Sequence, residues 1–213
     1  MKYIVAGWIC VAALSGLAQS AEGISDAEIQ SAIDRLASSN PDPNPKGKWL
    51  VKPPANYDQA AQRKVKDAEA LLKQLGIRAF PLLVKNSGDT RYSQSMSTSI
   101  WRSFSVGRVC VMIIGTQVDS IPGRYGYKTM PEYSWQVISL NPESWWKKHK
   151  SSTLLEMRIE AVKWTIEKER ANYKNIGDFF EMTEAQWDKE VIEPLERHLK
   201  SLTRSQAGGA IKK

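Results

Sequence analysis

Apolar positions along this chain recur mostly at helical spacing, in blocks separated by polar, Pro-rich or Gly-rich breaks. Ser25 stands three residues before Glu28, a capping-box spacing, and Ile29, Ile33 and Leu36 follow on one face. Five prolines between Asn40 and Tyr57 then fix φ and remove donors, which ends that helix in a linker or surface arm, with Trp49 as a possible anchor. A second helix is predicted from about Asp58 to Leu75, striped by Val65, Ala68, Leu72 and Leu75, with Gly76 placed to take the left-handed position after its last turn. The segment IRAFPLLVKN reads as a short third helix, in which Pro81 is tolerated only near the start.

Between residues 91 and 104 the pattern changes. Ser93, Ser95, Ser97, Thr98, Ser99, Ser103 and Ser105 crowd around Trp101. Such hydroxyls compete for backbone groups and weaken helices, so the stretch is expected to be an inserted polar loop. SVGRVCVMIIGTQV resumes the fold as a helix with Val106, Val109, Ile113 and Gln117 on its face, although RVCVMII also suits a buried strand. The region from Asp119 to Leu140, rich in Gly, Pro and Tyr, is irregular. Asn141 with Pro142 marks a helix start. Thr153 and Glu156 open the best-marked helix, striped by Leu155, Ile159, Val162, Ile166 and Tyr173. Thr183 and Gln186 open the last one, with Trp187, Val191, Leu195, Leu199 and Leu202 inward and a kink expected at Pro194.

The stretch AEALLKQLGIRAFPLLVKNSGDTRYS, residues 68–93, resembles one helical hairpin of the HEAT-repeat type. It carries the leucines of a first helix, the Leu-Gly turn, the Ala-x-Pro-Leu-Leu opening of a second and the Asp-x-Arg that starts a next unit. The resemblance implies stacked helical pairs, and a single pair cannot bury its own faces. The expected fold class is all-α, built of antiparallel helical hairpins in a HEAT-like or irregular array with long polar loops. Its expected divisions are residues 1–20, a signal peptide; 21–39, an N-terminal helix; 40–57, the Pro-rich arm; 58–204, the helical domain; and 205–213, a disordered tail.

The N-terminus supports export. Lys2 precedes an apolar run from Tyr3 to Leu17, and Ala18 and Ser20 sit at the small-residue positions of a cleavage site before Ala21. The run is shorter than the roughly 20 residues of a membrane-crossing helix, with an uncleaved anchor as the alternative. Cleavage would take Lys2 and no acid, lowering the formal charge from +7 to +6. This surplus favours anionic partners such as lipid head groups, acidic glycans or an acidic protein, and not nucleic acid, for which no readout motif is present. A protein partner is expected, with an anionic glycan or lipid surface as the alternative. Cys110 would then be the one remaining cysteine, and its apolar flanks imply a buried thiol.

Enzyme signatures are missing: there is no G-x-S-x-G, no phosphate-cradling glycine loop and no H-E-x-x-H, and His149 and His198 stand apart. No cofactor or metal is expected. Binding is the better supported chemistry. Arg91, Tyr92, Trp101 and Arg102 combine anchors with adaptable hydroxyls, as recognition surfaces do. Trp145, Trp146, Lys147 and Lys148 form a second candidate, because adjacent helical residues point about 100° apart and both tryptophans cannot face the core squarely. The expected function is an exported protein-interaction module, a scaffold, adaptor or inhibitor. The alternative is an envelope glycan-binding protein or enzyme that stacks sugars on exposed tryptophan.

Overall fold

The computed structural model describes residues 23–43, 56–97, 101–119, 133–176 and 183–210. The signal-peptide segment, most of the Pro-rich arm with Trp49, and residues 211–213 lie outside them. Helices dominate, and the fold is all-α. α1 spans Asp26–Asp34, α2 Gln59–Gln74, α3 Phe80–Lys85, α4 Val106–Val118, α5 Pro142–His149, α6 Leu154–Ile176, α7 Glu184–Trp187 and α8 Glu193–Ala210.

Local chemistry sets most of the helix starts. Ser25 and Glu28 close a capping box on α1, and Thr183 and Gln186 do the same on α7. Thr153 and Glu156 make the same reciprocal bonds ahead of α6. Asp58 caps α2 by accepting from the amides of Ala60 and Ala61, and Asn141 caps α5 ahead of Pro142. Gly76 adopts φ +59°, the left-handed turn after α2, where a side chain would be strained. A 3-10 turn over Gly76–Ala79 leads directly into α3.

α4 is the central helix. Val106, Val109, Cys110, Ile113 and Ile114 are inaccessible, and burial extends around the helix to Gly107, Val111, Gly115 and Val118. It packs against α2, α3, α6 and a π-helical turn over Ser134–Ile138. Ile29 and Ile33 of α1, Leu36 just beyond it, and Leu72, Phe80 and Leu83 complete this main core. A second cluster joins α6 to α7 and α8 through Val162, Ile166, Trp187, Val191, Ile192 and Leu195. Pro194 follows a π-helical turn over Asp188–Ile192. That turn resets the backbone ladder just upstream of a residue that lacks an N–H.

Two sequence expectations change. The described residues of the stretch expected to be a loop form two strands of a β-hairpin, with β1 over Tyr92–Ser97 and β2 over Trp101–Ser105 paired antiparallel. Hydroxyl-rich backbone that resists helix finds its hydrogen-bond partners across a ladder instead. The register runs from Tyr92 opposite Ser105 to Ser97 opposite Trp101, with an irregularity between Tyr92 and Gln94. A bulge lets neighbours share a face, and both Ser93 and Gln94 are buried. The second change is at the C-terminus, where α8 continues through Ala210, six residues into the tail expected to be disordered.

Candidate functional site

The hairpin is fixed to the helical body at its base. The Val106 amide donates to the Arg91 carbonyl at 2.8 Å and the Gly107 amide to the Asp89 carbonyl at 2.9 Å. The Arg108 amide is capped by the Ser105 hydroxyl. The first three amides of α4 are therefore occupied by the chain itself, and the helix start is not an open anion site. Gly107 permits this docking, since a Cβ there would lie 2.2 Å from the Ser87 carbonyl oxygen.

Arg91 serves this joint. Its guanidinium holds Asp89 at 2.6 Å and Asp34 of α1 at 3.1 Å. The hydrogen bond to Arg91 keeps the Asp89 carboxyl below the usual carboxylate range. Tyr92 is half-buried, its hydroxyl 2.8 Å from that of Tyr57 and 2.9 Å from Ser95 Oγ. The Ser38 amide donates to its carbonyl at 2.9 Å. Asn40 and Asp58 exchange two hydrogen bonds, of 2.9 and 2.8 Å, which pin the two ends of the Pro-rich arm together beside the hairpin. For Trp101 and Arg102 only the backbone lies among the described residues, in the ladder opposite Ser97 and Met96.

A cleft of about 290 Å³ opens at the hairpin base, lined by Asp42, Thr90, Tyr92, Ser103, Phe104, Ser105 and Arg108. Ser103 Oγ donates to Asp42 at 2.5 Å. Arg108 is half-buried, and desolvation lowers its pKa. Its guanidinium carbon lies 3.2 Å from the ring centroid of Trp135, a cation–π stack on a tryptophan that is 53% exposed.

The second candidate resolves differently. Trp145 is 4% exposed and belongs to the core, against the expectation of an accessible ring. Its ring stacks on His149 at 4.8 Å and lies 6.3 Å from Phe80, while its indole donates to Tyr133 Oη. Trp146 is half-buried and packs edge-on against Phe80 at 6.0 Å. Lys147 is exposed, and Lys148 pairs with Glu160 at 2.8 Å. The buried His149 ring faces two acceptors, the Trp145 carbonyl at 2.7 Å and Glu160 Oε2 at 3.0 Å. Burial alone would raise the Glu160 carboxyl, but hydrogen bonds from Lys148 and His149 outweigh it and hold it below the ordinary value. This corner is a packed helix junction with an ion-paired rim.

Another cleft, of about 520 Å³, lies where α6 meets α7 and α8. Its Arg170 and Glu196 already pair at 2.7 Å, and its tryptophan, Trp187, is 1% exposed. Among the described residues, no group of three or more His, Cys, Asp or Glu is arranged to hold a metal ion. No described helix is long and apolar enough to cross a membrane.

The structure thus brings Tyr92 into the hairpin cleft and sets Arg91 beside it, while Trp145 and Trp146 are packed elsewhere. The cleft residues not anticipated from sequence are Asp42, Phe104 and Arg108, together with Trp135 stacked on the last. A lone cation in the otherwise apolar VGRVCVMII was the available signal for Arg108. Comparison of the chain with protein-family models, curated proteins and solved structures gave no match.

Proposed function

We propose that this protein is a binding module, an exported scaffold, adaptor or inhibitor that engages a protein partner through the serine-rich hairpin and the cleft at its base. One observation carries the reading: a polar hairpin is fixed at its base on an otherwise all-helical body, by Arg91, Tyr92 and the start of α4. Rigid presentation of adaptable hydroxyls reduces the ordering cost of binding. The HEAT-like character of residues 68–93 and the signal-like N-terminus fit a helical scaffold acting after export. The surplus of positive charge suits an acidic partner.

The test is in-cell crosslinking of the tagged protein, comparing the native chain with a Trp101→Ala, Arg102→Ala double variant. The reading expects one dominant captured protein, lost in the variant, with the thermal midpoint nearly unchanged. Equal capture by both chains, or no capture above background, would refute it. A second reading, a glycan-binding protein, draws on exposed Trp135 as a stacking platform. Envelope polysaccharide that protects tryptophan fluorescence, where a neutral polymer does not, would favour that one.

A further inference from the structure

We infer that Arg108 is a carboxylate-binding residue, and that the hairpin cleft takes an acidic side chain from an extended peptide segment of the partner. The inference rests on the protein-binding reading above and specifies its chemistry.

Arg108 is set apart by what it lacks. Its backbone amide is capped by Ser105, but its guanidinium has no hydrogen-bond or ion-pair acceptor among the described residues. It is half-buried and partly desolvated, which weakens its protonated form. A half-buried guanidinium without an acceptor among the described residues keeps its donors available, and a planar carboxylate supplies two acceptors in matching geometry. The Arg108 guanidinium carbon lies over the Trp135 ring at 3.2 Å from its centroid, and the same residue lines the hairpin cleft. Stacking of this kind pre-sets the plane of the fork, and arginine serves here where lysine would not.

The rest of the lining narrows the ligand. Asp42 lines the same cleft and accepts from Ser103, and a carboxylate there repels a dianionic phosphate more than a singly charged carboxylate. It favours a ligand that brings donors together with its single carboxylate, as the backbone amides beside a glutamate do. Ser103, Ser105, Thr90 and Tyr92 add hydroxyls that donate or accept, and Phe104 gives an apolar surface for the methylenes. The cleft volume, about 290 Å³, suits one side chain with its adjoining backbone.

The test uses the full chain and two blocked tripeptides, acetyl-Gly-Glu-Gly-amide and its Gln counterpart, with inorganic phosphate as a third probe. The Arg108 Nε–Hε resonance, displaced by the Trp135 ring current, reports the site directly. The expected result is a saturable shift with the Glu peptide, at least tenfold weaker binding of the Gln peptide and of phosphate, and a tenfold or greater loss in Arg108→Lys. Equal binding of the two peptides, tighter binding of phosphate, or full affinity in Arg108→Lys would overturn it. Should Arg108→Lys fail to fold, Trp135→Ala provides the second variant. It should retain the charge but lose severalfold in affinity, and unchanged affinity would count against the stacked fork. Partner capture separates the two ideas. If Arg108→Lys captures the partner fully while the hairpin variant does not, this inference falls and the binding reading stands. If the Glu peptide binds as expected but no partner is captured in cells, the binding reading falls and the carboxylate site remains.

Discussion

Gly107→Ala puts opposite signs on two ways of reasoning about the same residue. Helix propensity alone favours the change, by up to about 1 kcal/mol for alanine over glycine in a helix. The structure reverses that sign. A Cβ at 107 would stand 2.2 Å from the Ser87 carbonyl oxygen, 2.7 Å from its carbon and 2.9 Å from the Asp89 nitrogen. These are backbone atoms of the 86–91 turn and cannot swing aside, so the helix and the turn must separate by roughly 1 Å to restore van der Waals distance. That movement strains the bonds from the Val106 amide to Arg91 and from the Gly107 amide to Asp89, now 2.8 and 2.9 Å. Overpacking costs about 1–3 kcal/mol and each weakened hydrogen bond about 1 kcal/mol, for a net loss of roughly 2–4 kcal/mol after the propensity gain. For a chain of this size that is a fall in Tm of about 5–12 °C, read by far-UV circular dichroism together with the urea midpoint. Gly88→Ala is the control, because nothing lies within 4 Å of its added Cβ, and it should change stability by less than about 0.5 kcal/mol. A Gly107→Ala protein that melts at or above the native midpoint would refute the close docking of α4 on the turn.

Two further perturbations follow from the same geometry. Burial pushes the Cys110 thiol up to about 12, so it should resist iodoacetamide at pH 8 in the folded protein and react once urea unfolds it; rapid native labelling would show the core to be open there. Glu160, held below its ordinary value, contributes stability at neutral pH that is lost as pH falls through its lowered folded-state pKa. The Tm gap between native protein and Glu160→Gln should therefore be largest near pH 7 and close in acid, and a gap that widens in acid would contradict the Lys148–Glu160–His149 arrangement.

How much of the site was legible beforehand differs from residue to residue. Serines at positions 93, 95 and 97 recur with a period of two, but Gln94 between them is also polar, so the apolar–polar alternation that marks a strand is incomplete. Helix-weakening hydroxyls suit a loop and a strand equally, and only the pairing of Tyr92–Ser97 with Trp101–Ser105 decides between them. Tyr92 was found from composition, but its neighbours in the cleft come from the arm, the hairpin and the first turn of α4, which no local pattern connects. Trp145 and Trp146 looked alike in sequence. Only the position of Phe80 and Tyr133 decides that the first is core and the second its half-buried flank.

What the sequence by itself determined was largely where helices begin. Ser25 with Glu28, Asp58, Asn141, Thr153 with Glu156, and Thr183 with Gln186 cap amides two or three residues away, so their geometry is complete within one turn. The burial of Cys110 was equally local, since a helix apolar on most sides has to lie inside. The tertiary structure alone decided that α4 is the axis of the fold, that Gly107 abuts the 86–91 turn, that Glu160 reaches His149, and that Arg108 stacks on Trp135. Each of these joins residues far apart in the chain. Their distances depend on the packing of whole elements, and no spacing along the sequence encodes them.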